Sequence, residues 1–240
     1  MKIRSLNRLV MLTIVLASLV FAGGGCAAGA SRLATNLEAG RPQALVAYGT
    51  SLTAGGAWVG QLEAALKAHW PYLVTVMNRG AGGASSKWGV DELDVRVIVM
   101  KPDTVLIEFA INDAALGSGI SVEQARENLT NMVDRILAAK AGTEVVLMTM
   151  NRPYDVNLGE RPEIGKYYEM YREVAKERGL MLVDHEANWE ALRAKDPARI
   201  QKYLPDGIHP SPEGCREVIT PALLKALGVP ATTVTGATSK

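Results

Sequence analysis

The stretch LVAYGTSLTAGG, residues 45–56, decides how this chain is read. Its apolar run is continuous rather than alternating, as in a strand covered on both faces. The run stops at Gly49 and gives way to Thr50, Ser51 and a series of small residues. Such a strand end can be a simple turn, or it can present a serine hydroxyl.

Four more runs share that character. The expected strands are Ala44–Tyr48, Leu73–Met77, Thr104–Ala110, Glu144–Met150 and Met181–Val183. Amphipathic segments separate them. Val59, Leu62 and Leu66 fall on one helical face, as do Val122, Ala125, Leu129, Met132, Val133, Ile136 and Leu137, which follow a Ser121/Gln124 capping box. Ile164, Tyr168, Tyr171, Val174 and Ala175 repeat the spacing. A last helix opens at Ser211 with Pro212 in its first turn, and Pro221 is expected to kink or split it. This alternation predicts an α/β domain with a parallel sheet covered on both faces. Right-handed crossovers favour a five-stranded order 2-1-3-4-5, with ligands bound beyond the carboxyl ends of the strands.

The 240 residues are 48% hydrophobic and 21% charged, enough for one substantial core. Residues 1–25 read as a signal peptide: Lys2, Arg4 and Arg8, then the apolar LVMLTIVLASLVFA, then GGG before Cys26. The apolar stretch is short for a membrane span. GGGC resembles a bacterial lipoprotein processing site with Cys26 as the lipidated first residue, although Gly23 stands where a larger aliphatic is usual; ordinary cleavage after Ala22 is the other reading. Removing residues 1–25 leaves 23 Lys+Arg against 25 Asp+Glu, a balance that does not suit an electrostatic nucleic-acid binder. With two cysteines, the chain has neither a disulfide framework nor a cysteine zinc site. Cys215 reads as a small buried hydrophobe. Residues 26–42 read as a linker, 43–228 as the domain and 229–240 as a polar tail.

The strand ends gather chemistry. GTSLT follows the first strand, NRGAGG the second and INDA the third, while PDGIHPS places Asp206 three residues before His209. GTSLT, Gly80 and Asn112–Asp113 say little alone, since such residues commonly form turns, and DGIH says more although Asp-Gly is itself a turn signal. Together they suit acyl transfer. A serine needs a base, an imidazole serves near neutral pH, and a carboxylate fixes that imidazole's tautomer. The backbone N–H groups of Ser51 and Gly80 and the Asn112 side chain are the expected oxyanion donors.

These motifs, in this order over residues 43–228, resemble the SGNH hydrolases, also called the GDSL esterase/lipase family. The resemblance implies Ser51 as nucleophile, His209 as base, Asp206 as its partner, and Gly80 and Asn112 as oxyanion donors. It also implies a three-layer α/β/α flavodoxin-like fold and no cofactor. Thr50 stands where the family usually has Asp, and Ala110 where it usually has Gly.

The expected function is an exported serine esterase, in the periplasm, membrane-anchored or secreted, that acts on a small-molecule or carbohydrate ester with a short acyl group such as acetyl. A longer-chain acyl esterase or lysophospholipase, an O-acyltransferase and a silent glycan-binding lipoprotein are the alternatives. Other residues have duller readings. His69 ends a helix, and His185 is a rival base with no carboxylate at matching spacing. Glu108 inside the third strand is read as half of an ion pair with an Arg. Trp58 is either a pocket wall or core. The Asn128 sequon falls in a helix. The G-x-S-x-G elbow does not fit, because Thr53 lies two residues after Ser51.

Overall fold

The computed structural model describes residues 31–230. Its centre is a five-stranded, all-parallel sheet in the order β2-β1-β3-β4-β5. The strands are β1 Gln43–Gly49, β2 Val74–Asn78, β3 Thr104–Glu108, β4 Glu144–Thr149 and β5 Met181–Asp184. β1, β3 and β4 are buried along their whole length save Ala44, which is why they read as continuous apolar runs. The order and class match the sequence expectation. The boundaries shift: β3 ends at Glu108, because Phe109 leaves the extended region and a short helix starts at Ala110.

One helical layer holds α4 (Ser86–Arg96), α6 (Val122–Ala139) and α8 (Ile164–Arg178). The other holds α1 (Arg32–Glu38), α3 (Ala57–His69), α9 (His185–Lys195), α10 (Pro197–Tyr203) and α12 (Thr220–Ala226). Short helices α2 (Ser51–Ala54), α5 (Ala110–Asp113), α7 (Val156–Gly159) and α11 (Pro212–Gly214) sit at the carboxyl ends of strands or in the loops beyond. The sheet and both layers share one hydrophobic cluster. The split at Pro221 takes the form of a π-helical stretch, Cys215–Ile219, between α11 and α12.

Helix α1 corrects the linker expected at 26–42. Leu33, Ala34 and Leu37 are buried. Its first turn is tied to the start of β4: Glu144 accepts from Ser31 Oγ at 2.8 Å, Arg32 N at 3.0 Å and Leu33 N at 3.3 Å. Packing also continues past 228, since Val229 is buried and its N–H donates to Leu224 O. The signal peptide expected at 1–25, Cys26 and all but the first two residues of the tail expected at 229–240 lie outside the described residues. Among the described residues no helix is long and apolar enough to cross a membrane.

Candidate active site

Thr50 caps α2: its side chain accepts from Leu52 N at 3.1 Å, so Ser51 becomes the first helical residue. The Ser51 hydroxyl lies 2.9 Å from His209 Nε2. On the other side of the ring, His209 Nδ1 lies 2.6 Å from Asp206 Oδ2. Asp206 Oδ1 accepts from the backbone of Ile208 at 3.0 Å and of His209 at 2.7 Å. Burial opposes ionisation of Asp206, but the His209 and Ile208 donors outweigh it and hold its carboxyl below the usual range.

The loop carrying Asp206 and His209 is clamped by the chain after β4. Asn151 Nδ2 donates to Ile208 O at 2.9 Å, Tyr154 N to Gly207 O at 3.0 Å and Asn157 Nδ2 to Asp206 O at 2.8 Å. Gly207 sits at φ +82 in the left-handed region, and a Cβ there would meet Asn157 Nδ2 at 3.0 Å. The glycine of PDGIHPS therefore serves both the turn and the clamp. The three clamping residues escaped sequence reading; the only signal was their position just after a buried strand.

Gly80 departs from expectation. Its N–H donates to Asn78 Oδ1 at 3.1 Å. A Cβ at Gly80 would lie 2.6 Å from Ala54 N and 2.9 Å from Thr50 O. This glycine lets the second loop pack on the serine turn, and its amide is already engaged. Gly82, two residues on, borders the cleft instead. Among the described residues, the N–H groups of Ser51, Gly82 and Gly83 have no intramolecular acceptor. Asn112 Nδ2 donates to Ala84 O at 2.9 Å, which leaves its second amide hydrogen available.

A cleft of about 400 Å³ opens over Ser51 and His209. Its other walls are Leu52, Ala54, Gly55, Gly56, Gly82 and Pro210, with no charged side chain. A depression of similar volume, about 400 Å³, lies between α9, α10 and α12 and borders neither Ser51 nor His209. Among the described residues no group of three His, Cys, Asp or Glu side chains converges to hold a metal ion.

The remaining candidates resolve structurally. His185 is fully buried, among the described residues both its ring nitrogens are unpartnered, and burial pushes its pKa down to about 4. It is out of reach of any substrate. Trp58 is core, and its indole N–H donates to Leu52 O at 2.8 Å. Cys215 is buried, which raises its thiol pKa. Asn128 lies within α6 and bonds Ser86 Oγ at 2.9 Å. Glu108 has no Arg partner; among the described residues it accepts only from Thr50 and Thr53. Burial pushes its pKa up to about 7, against those donors.

A doubly wound sheet that aligns hydroxyl, imidazole and carboxylate at its strand ends has the build of a serine hydrolase. The chain belongs to the GDSL-like lipase/acylhydrolase family, whose family model matches residues 47–216, and is an ester-hydrolysing enzyme of the SGNH type. It is 27% identical to the uncharacterized lipoprotein YqeF of Bacillus subtilis (strain 168), over 85% of this chain and 93% of that protein. Among solved structures it resembles a lipase/acylhydrolase from Enterococcus faecalis, with TM-score 0.64 and 29% identity over 78% of this chain and 93% of that one. It also resembles Axe2, an acetylxylan esterase from Geobacillus stearothermophilus, with TM-score 0.67 and 23% identity over 78% of this chain and 95% of that one.

Proposed function

We propose that the protein is an exported, lipid-anchored serine esterase that removes short acyl groups, acetyl first, from carbohydrate. The observation that carries this reading is the hydrogen-bonded run from Ser51 Oγ through His209 to Asp206. His209 Nε2 takes the hydroxyl proton as Ser51 attacks the ester carbonyl. Asp206 keeps Nδ1 protonated and stabilises the imidazolium. Charge on the tetrahedral oxygen meets the Ser51 N–H, the free amide hydrogen of Asn112 and the amides of the Gly82–Gly83 turn, which take the place expected for Gly80. His209 then protonates the departing alcohol, and water activated by the same imidazole releases the acid.

The short-acyl reading draws on the cleft, whose walls beside Ser51 are mostly small residues. The Axe2 neighbours, described as acetylxylan esterases, favour a carbohydrate ester. Anchoring through Cys26 draws on GGGC and on the lipoprotein relative.

Turnover of acetyl, butyryl and octanoyl p-nitrophenyl esters by the purified protein tests the acyl preference. Acetyl is expected to be hydrolysed fastest; an octanoyl preference would overturn that assignment in favour of a longer-chain esterase. A fluorophosphonate is expected to label Ser51. Mass spectrometry of the mature N-terminus is expected to find acylated Cys26.

A further inference from the structure

Beneath the serine turn lies a carboxylate that the proposed chemistry does not use. Glu108 is the last residue of β3 and is 1% exposed. Its Oε1 accepts from Thr50 N at 2.7 Å and from Thr53 Oγ1 at 2.6 Å. Thr50 Oγ1 lies 3.0 Å from Oε1 and 3.1 Å from Oε2. That hydroxyl already accepts from Leu52 N, so its own proton points to the carboxylate. Residues on both sides of Ser51 thus converge on one group.

The backbone is shaped to admit it. Gly49 pairs with Glu108 in the β1–β3 ladder, and a Cβ at Gly49 would sit 2.2 Å from Glu108 Oε1. Asp113, Tyr168 and Tyr171 are its ionisable neighbours, and none of them supplies a positive charge. A buried carboxylate without a cation costs stability that an apolar side chain would not. The geometry therefore calls for something besides packing.

We infer that Glu108 is a positioning residue: by gripping Thr50 and Thr53 it fixes the turn that aims Ser51 Oγ at His209 and the Ser51 N–H into the cleft. This rests on Ser51 being the nucleophile. Thr50, where the family usually has Asp, then fits its surroundings, because an acid there would face the Glu108 carboxylate.

The test uses the full chain with E108Q, T53V and T53S. Fluorophosphonate titration counts reactive serines, and p-nitrophenyl acetate turnover is expressed per titrated site. E108Q is expected to lose roughly 10–100-fold in kcat per site with KM little changed, the scale of a misplaced reacting group. T53V is expected to move the same way, and T53S to recover most of the loss. A purely structural role would lower melting temperature and the titrated fraction but leave kcat per site at the wild-type value, and that result overturns the inference. Should E108Q fail to fold, T53V and T53S decide on the same criterion. A wild-type protein that is not labelled at Ser51 would overturn the nucleophile assignment first, and this inference with it.

Discussion

Ser51 and His209 are 158 residues apart in the chain, yet Oγ and Nε2 lie within hydrogen-bond distance. The parallel sheet makes this possible, because every strand delivers its following loop to the same end. The clamp from Asn151, Tyr154 and Asn157 then fixes where the imidazole stands.

Ser51→Ala and His209→Ala are each expected to abolish ester turnover while leaving the melting temperature near wild type. Because the two groups act as a unit, the double variant should be no slower than the worse single one. Steady-state assays of all three proteins check this; strictly multiplicative losses would contradict it.

Asp206→Asn is expected to lower kcat by about 10⁴, since an amide no longer selects the productive imidazole tautomer. The carboxyl of Asp206 titrates below the usual range in the folded protein. Its contribution to stability is therefore present above the ordinary carboxylate pKa and is lost as pH falls through the lowered folded value. Acid melts of wild type against Asp206→Asn should diverge in that direction.

Asn112→Ala should cost about 10²–10³ in kcat if its spare amide hydrogen serves the oxyanion. Gly80→Ala should behave differently. Its new Cβ would strike the backbone of Ala54, so a fall in melting temperature is expected before any specific loss in turnover.

Glu108 gives stability the opposite pH sense from Asp206. Its folded pKa stands near 7, above the ordinary 4.5, so between these values the native state binds more protons than the unfolded one. Stability from this group should fall as pH rises from about 4.5 to about 7 and then level off. Asp113, pushed up to about 6 by burial, slopes the same way. The difference between wild-type and Glu108→Gln melting curves across that range isolates the Glu108 part; a flat difference would contradict it.

Much of the fold could be read in advance, because strands buried on both faces leave unbroken apolar runs such as those around Val46 and Leu106. Helix α1 could not. It is seven residues long, and its main tether, Glu144, lies over a hundred positions away. Its one local sign was Ser31 ahead of Leu33 and Leu37. The partners of Glu108 were misjudged for a related reason: charge suggests an Arg, whereas the actual donors are hydroxyls and an amide brought alongside by the β1–β3 pairing. Gly80 stood in motif order, but motif order carries no information about where an N–H points.

The attachment of Ser31 to Glu144 has a consequence for orientation. Cys26 precedes Ser31 by five residues, a leash of at most ~18 Å. Ser31 is moored where the strands begin, and Ser51 faces outward where they end. Were Cys26 acylated as proposed, the anchor would therefore join the molecule at the end of the sheet opposite the cleft.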